Sequence, residues 1–373
     1  MTRGSAEPGP GVAQRHADPV AAAIVLAADP PPGGRPGALV RVGGPTVLAR
    51  AISVLGSAGV PRVLVTGGPA VLDAARRLGA SAYVPGGPLP AGRYLLVAGD
   101  ALFDAETVRS LADHGGDVRC TDAALAVVDA ATATAAADAG SFAGVPEGPL
   151  APAAGFATTL AGPGDLRRVR RALWQRYGPK PTDGLVCRYL NRPLSRPVTL
   201  LLTRMRIGPD ALTLASFLVA VAGAAVVGFG GRWWTMLLGG VLIQAGNALD
   251  GVDGEVARIG LRSSRRGALL DTTLDRYADL AVLAGLALAA GGRPADWIWA
   301  FAAAAASLLI SYINAVAPRA PQRLLRRDVR LLVCALAAAL SLPLWGLVVV
   351  AVLGNLDALR VFGQVIRRAP GPR

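Results

Sequence analysis

The sequence predicts an α/β domain followed by an all-α, polytopic membrane domain. The first observation is that strand and helix patterns alternate along residues 20–165. The second is that about six apolar runs follow residue 208, although the mean hydropathy of the whole chain is only +0.45. The third is an uneven charge: residues 1–165 carry 11 basic and 14 acidic residues, whereas residues 166–373 carry 27 and 11. A chain of 373 residues is long enough for two such domains.

The basic excess belongs to the apolar half, whose net charge of +16 contrasts with −3 for the preceding residues. This distribution fits anionic lipid headgroups and phosphate-bearing substrates, and it argues against nucleic acid as a partner. The cysteines Cys120, Cys187 and Cys334 have neither a CxxC motif nor paired spacing, so we expect no disulfide framework and no zinc site. The two histidines, His16 and His114, give little support to histidine-based catalysis.

The first half of the chain begins with a polar lead. Residues 1–19 are rich in proline and glycine, which predicts a disordered segment without a signal peptide. Residues 20–165 then give strand patterns in "AAAIVLAA", "RVLVTGG" and "YLLVAGD". Helix patterns lie between and after them in "PTVLARAISVLGSAG", "AVLDAARRLGA" and "AETVRSLADHG". This alternation predicts a parallel sheet with right-handed crossovers.

The second half begins with a basic linker. Residues 166–208 contain the basic helix "DLRRVRRALWQRYG" and a stretch from Leu185 to Gly208 that mixes arginine with leucine and valine. Such a stretch is typical of an amphipathic helix lying in the membrane interface. Residues 209–368 form the predicted transmembrane domain. Its six predicted spans are Leu212–Gly230, Trp233–Ala248, Leu269–Ala290, Trp297–Ala317, Leu331–Leu342 and Leu344–Val361. The fifth is shorter than the roughly 20 residues that a span needs, so its limits are open.

Arginines mark one side of these spans. They cluster before the first span, in every second loop and after the last span. This is the pattern of an even number of helices with both termini in the cytoplasm. It predicts a multi-pass protein of the cell membrane whose N-terminal domain also lies in the cytoplasm.

Four aspartates interrupt the apolar sequence in "LDGVDGEVARIGLRSSRRGALLDTTLD". Asp250 and Asp253 lie three residues apart, Asp271 and Asp275 lie four apart, and each pair therefore shares one helical face. "IGLRSSRR" between them can turn the chain, so the four carboxylates converge from two adjacent helices. Close carboxylates repel one another unless a cation lies among them, and hard divalent cations with oxygen ligands, Mg²⁺ or Mn²⁺, meet that requirement.

A purely structural role for the aspartates is less well supported. A single aspartate at a membrane end is commonly a solvated loop charge or a partner of a nearby arginine. Four at regular spacing inside apolar sequence are harder to account for in that way, because each central charge costs roughly 2.5–3.5 kcal/mol on insertion scales. A cation-coupled transporter stays open as an alternative, although it usually needs charge near the middle of the membrane and broken helices.

The stretch resembles the signature of the CDP-alcohol phosphotransferases, D-x2-D-G-x2-A-R-x8-G-x3-D-x3-D. Every position is filled: Asp250, Asp253, Gly254, Ala257, Arg258, Gly267, Asp271 and Asp275. The resemblance implies six transmembrane helices, a homodimer among membrane lipids, and a divalent-metal site for Mg²⁺ or Mn²⁺ with two ions. It also implies transfer of a substituted phosphate from a CDP-linked alcohol donor to an alcohol acceptor, with release of CMP.

The resemblance assigns roles to the signature residues. The four aspartates become metal ligands, and Asp275 also becomes the general base that activates the acceptor hydroxyl. Contacts to the CMP moiety are implied for five residues: Pro209, Thr213, Gly254, Ala257 and Arg258. "RIGPDALT" is similar to the family's Pro-Asn-x-x-Thr segment, with Asp210 in place of the asparagine.

The segments "KPTDGLVCRYLNRPLSRPVT" and "RRDVRL" are similar to the branch of di-myo-inositol phosphate phosphate synthases. That resemblance implies CDP-inositol as donor and inositol phosphate, a polyol phosphate, as acceptor. Arg323, Arg326 and Arg327 become candidates to hold the acceptor phosphate; a plain arginine-rich loop accounts for them equally well. A phospholipid synthase that takes CDP-diacylglycerol keeps the same signature and stays open.

Residues 20–165 resemble a sugar-phosphate nucleotidyltransferase, which in that branch is fused to the membrane domain. "YLLVAGDALFD" is similar to its metal segment and makes Asp100 the candidate Mg²⁺ ligand. The loop "LAADPPPGGRPG" departs from the pattern, because Asp29 replaces a glycine, three prolines supply no N–H donors, and Gly37 replaces the catalytic lysine. We therefore expect a degenerate domain; the alternative is a bifunctional enzyme with an active N-terminal cytidylyltransferase.

Overall fold

The computed structural model describes residues 19–28, 36–87, 89–114, 116–160, 162–178, 183–203, 205, 207–317 and 324–368. The predicted polar lead, the loop with Asp29 and its prolines, Lys180 of the linker, Arg206 and Arg323 lie outside these residues. The chain divides into two compact units, residues 1–171 and residues 172–373.

The first unit is an α/β fold. Its strands, in the described residues, are β1 (Val20–Leu26), β2 (Val63–Thr66), β3 (Ser81–Ala82), β4 (Arg93–Ala98), β5 (Ala101–Phe103), β6 (Val118–Cys120), β7 (Leu125–Asp129), β8 (Leu150–Ala151) and β9 (Ala157–Thr159). Its helices are α1 (Val47–Ser57), α2 (Pro69–Arg77), α3 (Ala105–Ala112), α4 (Ala130–Ala139) and the start of α5 (Leu166–Tyr177). Side-chain caps begin several of these helices; Thr46, for example, accepts a hydrogen bond from the backbone N–H of Ala49 at 3.1 Å.

The main sheet has the strand order β3-β2-β1-β4-β7-β6-β8 among the described residues. Its centre is parallel, with Ile24 of β1 opposite Leu64 of β2 and Leu96 of β4. The predicted parallel sheet is therefore found at the centre, but β7 pairs antiparallel with both β4 and β6. The β6–β7 connection is too short for the helical crossover that a parallel pair requires.

Both faces of the central strands are covered. Ala23 and Val25 of β1 belong to one buried cluster, whereas Ala22, Ile24 and Leu26 belong to another on the opposite face. This explains why β1 reads as a continuous apolar run rather than as an alternating one.

The second unit is helical. Its helices are α6 (Arg192–Leu202), α7 (Pro209–Gly230), α8 (Trp233–Ile259), α9 (Arg265–Ala289), α10 (Pro294–Val316), α11 (Arg327–Ala339) and α12 (Pro343–Arg368). A π-helical turn (Cys187–Asn191) precedes α6. Among the described residues, α7, α10 and α12 are long and apolar enough to cross a membrane. The protein is therefore a membrane protein by the composition of these helices.

Helix α6 carries its polar side chains inward. Ser195 and Thr199 are buried, whereas Leu194 and Leu201 are 53% and 54% exposed. This is the reverse of a helix on a water-soluble protein, whose apolar face is covered. The arrangement fits the amphipathic segment that the sequence predicted.

Small residues allow α7 and α8 to pack closely. A Cβ added at Gly223 of α7 would lie 2.8 Å from the backbone nitrogen of Ile243, and one at Gly246 of α8 would lie 2.9 Å from the Cβ of Ala220. Both distances are shorter than van der Waals contact, so glycine is required at this spacing. Close packing against α7 fixes the part of α8 that leads into the aspartates.

A tight turn joins α8 to α9. The backbone N–H of Arg262 donates to the carbonyl of Ala257 at 2.8 Å, and Leu261 adopts φ +53°, in the left-handed region. Ser264 then caps α9 by accepting a hydrogen bond from the N–H of Gly267 at 2.9 Å. The turn therefore joins two helices that both pack on α7, and the parts of α8 and α9 nearest this turn carry the four aspartates.

Candidate active site

Three of the predicted metal ligands lie together. Oxygen atoms of Asp250, Asp271 and Asp275 all lie within 4.8 Å of one another, and the three residues are half-buried. Asp250 comes from α8 and the other two come from α9. The turn between α8 and α9 thus brings together three of the four carboxylates that the spacing predicted to converge, and the chemistry of three carboxylates suits a hard divalent cation.

Asp253 lies apart from this cluster. It is buried, its carboxylate accepts hydrogen bonds from the Thr213 hydroxyl and from the backbone N–H of Gly254, and it lines a cavity together with Asp271. This cavity has a volume of about 180 Å³. Its lining includes all five residues that the sequence assigned to the nucleotide: Pro209, Thr213, Gly254, Ala257 and Arg258.

Asp210 lies on the same cavity, at the position where the resemblance has an asparagine. A Cβ added at Gly267 would lie 3.2 Å from its Oδ1. The signature glycine therefore leaves room for the Asp210 carboxylate at the start of α9.

Arg327 supplies positive charge among the carboxylates. Its Nη1 donates to Asp250 at 2.8 Å, its Nη2 lies 3.0 Å from Asp275, and its Nε donates to Asp279 at 3.0 Å. The sequence assigned Arg327 to an acceptor phosphate, and the structure places it against the predicted metal ligands instead of in an open loop. A fork of this kind is a property of arginine that lysine cannot reproduce.

A larger cavity of about 370 Å³ also borders the cluster. Asp250, Asp271 and Asp275 line it together with Arg326 and Arg327. Asp271 therefore lines both cavities, with predicted nucleotide residues along one and predicted phosphate residues along the other.

In the first unit, Asp100 follows β4 and is half-buried, and this burial raises the pKa of its carboxyl above the ordinary value. The preceding Gly99 donates its N–H to the carbonyl of Leu26 at 2.7 Å, and a Cβ there would lie 2.7 Å from the Cα of Ala27. A Cβ added at Gly37 would lie 3.0 Å from the Cβ of Asp100. The residue that replaces the expected lysine thus lies beside the predicted metal ligand.

Sequence comparisons agree with this geometry. Residues 206–359 match the model of the CDP-alcohol phosphatidyltransferase family. The phosphatidylinositol phosphate synthase of Mycolicibacterium smegmatis is 34% identical over 198 residues, which cover 48% of this chain and 86% of that protein. The chain belongs to the CDP-alcohol phosphatidyltransferase family. The family that the signature predicted is therefore confirmed.

Other members of this family are similar over a smaller share of their length. The bifunctional IPC transferase and DIPP synthase of Rubrobacter xylanophilus is 38% identical over 213 residues, 54% of this chain and 47% of that protein. The protein of the same name from Thermococcus kodakarensis is 36% identical over 155 residues, 42% of this chain and 34% of that protein. The chain thus spans less than half the length of these two relatives.

A solved structure of the family also matches. The crystal structure of Mycobacterium tuberculosis phosphatidylinositol phosphate synthase with CDP-DAG bound gives a TM-score of 0.41 at 26% identity, covering 49% of this chain and 96% of that one.

The sequence patterns did not predict two features of this CDP-alcohol phosphatidyltransferase. Asp279 continues the four-residue spacing of Asp271 and Asp275 by one more turn, and this spacing could have identified it. It is buried and bonds Arg327, Arg330 and the Ser307 hydroxyl, the last at 2.8 Å. Its charge therefore supports the arginine that reaches the cluster.

The second missed feature is Glu255, which lies inside the signature at an unspecified position. It is fully buried and pairs with Arg192 of α6. Arg192 also pairs with Asp183 at 2.9 Å. No local sequence signal points to the contact between Glu255 and Arg192, because 63 residues separate them in the chain.

Proposed function

We propose that this membrane protein transfers a substituted phosphate from a CDP-linked alcohol to an alcohol acceptor and releases CMP. The observation that carries the proposal is the cluster of Asp250, Asp271 and Asp275, which lines a cavity with arginines and reaches the cavity of the nucleotide signature through Asp271. Phosphoryl transfer needs this combination, because two phosphate-bearing groups must meet at a site that tolerates their combined negative charge.

The clustered carboxylates suit a divalent metal ion. Three carboxylates with oxygens inside 4.8 Å match the preference of Mg²⁺ and Mn²⁺ for oxygen ligands. We propose Mg²⁺ as the resident ion, with Mn²⁺ as a substitute, and two ions when Asp253 joins the set. Held by these carboxylates, the ions would supply positive charge for the diphosphate and for the oxygen that leaves with CMP.

The reaction is a single displacement at phosphorus. Asp275 takes the proton from the acceptor hydroxyl as its oxygen attacks the phosphorus that carries the donor alcohol. The new P–O bond forms while the bond from that phosphorus to the bridging oxygen of CMP breaks. The electron pair leaves with CMP, and the product is a phosphodiester that joins the donor alcohol to the acceptor.

The two cavities bind different substrates. We propose that the 180 Å³ cavity takes the CMP moiety through the five residues named above, with Arg258 contacting phosphate. We propose that the 370 Å³ cavity takes the acceptor, with Arg326 and Arg327 on its phosphate. Arg323, which lies outside the described residues, is assigned to the same phosphate on sequence alone.

CDP-inositol as donor and inositol phosphate as acceptor are the proposed substrates, because relatives named IPC transferase and DIPP synthase are 36–38% identical. A second candidate is CDP-diacylglycerol as donor. It is favoured by the 34% identity to a phosphatidylinositol phosphate synthase across 86% of that protein. The solubility of the product distinguishes them, since only the second reaction makes a lipid.

The rest of the organisation is proposed as the sequence predicted it. The proposed segments are a lead (1–19), a degenerate nucleotidyltransferase-like domain (20–165), a linker with an interfacial helix (166–208) and a transferase domain (209–368). Helices α7 to α12 make the six proposed spans. We propose a homodimer in the cell membrane with both termini and the active site in the cytoplasm, as the arginine distribution supports.

The test is loss of the reaction when one carboxylate becomes an amide. Purified full-length protein with Mg²⁺ is incubated with CDP-inositol or CDP-diacylglycerol, with and without inositol phosphate, and CMP and product mass are read together. Asp275→Asn should lower CMP release at least 100-fold, because it removes a ligand and the general base, whose contribution alone is about 10²–10⁴. Asp271→Asn should also lose the metal-dependent release of CMP.

Asp73→Asn is the matched control, because Asp73 lies on α2 with an exposed side chain. It should behave as wild type. Full activity of Asp271→Asn and Asp275→Asn would refute the proposal. Flux of a cation through vesicles without any CMP release would instead favour the transporter alternative.

A further inference from the structure

Glu255 is buried within the signature helix and receives hydrogen bonds from outside the family's matched region. Its donors are the Trp174 indole N–H at 2.9 Å, the Ser195 hydroxyl at 2.9 Å, the Thr199 hydroxyl and the Arg192 guanidinium. A desolvated carboxylate is costly unless it is paired and hydrogen-bonded. The position of α8 is therefore fixed against α6 and against the C-terminal turn of α5.

Arg258 holds that same turn from three residues further along α8. Its Nε donates to the carbonyl of Tyr177 at 2.6 Å, and its Nη2 donates to the carbonyl of Gly178 at 2.7 Å. Residues three apart share a helical face, so Glu255 and Arg258 contact the end of α5 side by side. Carbonyls at a helix C-terminus are suitable partners for a cation.

Gly178 makes the turn compact. Its N–H donates to the carbonyl of Trp174 at 2.7 Å. A Cβ at Gly178 would lie 2.6 Å from that carbonyl oxygen and 2.9 Å from the indole Nε1. Because the indole nitrogen is the atom that bonds Glu255, any side chain at this position displaces the contact.

The guanidinium of Arg258, bonded to these two carbonyls, faces the smaller cavity. A Cβ added at Gly254 would lie 3.0 Å from Arg258 Nη1, and both residues line that cavity. With Nε and Nη2 bonded to two carbonyls, the plane of the guanidinium is fixed and Nη1 is presented above Gly254. Orientation fixed in advance lowers the entropy lost when a ligand binds.

We propose that the Trp174–Gly178 turn is a positioning element for the CDP-linked donor, because it orients Arg258 toward the nucleotide cavity. The inference rests on the proposed function and extends the nucleotide site to residues that precede the family match at 206. None of the turn's side chains needs to touch the nucleotide, so these are positioning residues and not catalytic ones.

The experiment compares Gly178→Ala and Trp174→Phe with wild type in the full-length protein. Titration calorimetry with CMP and Mg²⁺ gives nucleotide affinity, and CMP release gives KM for donor and acceptor separately. Loss of one hydrogen bond to a charged group predicts about tenfold weaker CMP binding and a donor KM raised about tenfold. The acceptor KM and kcat should change less than about twofold, because the larger cavity keeps its lining.

Two matched controls separate positioning from general damage. Gly162→Ala adds a methyl group where no atom lies within 4 Å, and Trp345→Phe changes a tryptophan on α12 that is 64% exposed. Both should bind CMP as wild type does. Adding Gly178→Ala to Arg258→Lys should weaken binding little further than Arg258→Lys alone, because both act through the same guanidinium.

Wild-type CMP affinity in both turn variants would overturn the inference. So would a parallel rise of donor and acceptor KM with a lowered midpoint of thermal unfolding, because that pattern indicates a structural role alone. A wild-type protein that neither binds CMP nor releases it would overturn the proposed function itself, which is a different result from unaffected variants of an active enzyme.

Discussion

At the scale of single residues, the spacing of the aspartates predicted a cluster of four carboxylates, of which three meet, but it did not predict which other side chain lies among them. Asp250, Asp271 and Asp275 converge because helical periodicity and a short turn leave little choice. Arg327 reaches the same carboxylates from α11, 77 residues along the chain from Asp250. A contact at that separation depends on how helices pack, which a single sequence does not show.

Asp279 gives a test at this scale. Its carboxylate bonds Arg327 at 3.0 Å and Arg330 at 3.2 Å, and Arg330 is buried. Asp279→Asn keeps the shape but removes the counter-charge of Arg330, whereas Arg327 keeps its pairs with Asp250 and Asp275. Removing one partner of a buried pair costs about 3–5 kcal/mol. We expect the free energy of unfolding in detergent to fall by about 3 kcal/mol on this scale, measured by denaturant titration.

The matched comparison is a double-mutant cycle with Arg330→Met. If the pair is coupled, the double variant should lose less stability than the sum of the two single losses. Additive losses would contradict the ion pair as the cause. Asp296→Asn, which has the exposed Arg293 as its partner at 3.1 Å, should lose less than Asp279→Asn.

At the scale of elements, helix positions in the second unit follow the predicted spans closely, because apolar runs are long and bounded by glycine and proline. The largest difference is α8, which runs from Trp233 to Ile259 and so continues past the predicted end at Ala248 through the whole first aspartate pair. The predicted limit was set by hydropathy, and charged residues on one helical face end an apolar run without ending the helix. The antiparallel strand β7 was not predicted, because no helix separates it from β6 and the prediction relied on the alternation of strands and helices.

Helix packing supplies the prediction at this scale. In Gly246→Ala, the new Cβ would lie 2.9 Å from the Cβ of Ala220 and 3.0 Å from its backbone nitrogen. The helices must separate, and overpacking of this kind costs about 1–3 kcal/mol. We expect a lower midpoint of thermal unfolding. We also expect weaker metal binding, because α8 is displaced together with its aspartates; calorimetry with Mn²⁺ measures the affinity.

Gly363→Ala is the control for helix propensity. Gly363 lies in α12 with no atom within 4 Å of an added Cβ, so alanine there should leave stability unchanged or raise it by up to about 1 kcal/mol. Equal midpoints for Gly246→Ala and Gly363→Ala would show that close approach at Gly246 does not limit packing.

At the scale of the whole molecule, the chain joins an α/β unit with nearly balanced charge to a basic helical unit, and the two differ in how complete their predicted chemistry is. In the helical unit, every signature position is filled and the signature residues line two adjoining cavities or the cluster between them. In the α/β unit, Asp100 stands beside Gly37 where the resemblance requires a lysine. The sequence showed this difference directly, because a missing side chain needs no tertiary information.

The last prediction follows from that difference. Full-length protein given CTP, inositol phosphate and Mg²⁺ should release no pyrophosphate above background. Binding the triphosphate of CTP requires a cationic side chain, which Gly37 lacks, and backbone N–H donors, which the prolines at 30–32 lack. The same preparation should release CMP from CDP-inositol, which shows that it is folded. Asp100→Ala should leave that CMP release unchanged, since Asp100 belongs to the other unit. Pyrophosphate release that depends on CTP and is lost in Asp100→Ala would show instead that the α/β unit makes the donor that the helical unit consumes.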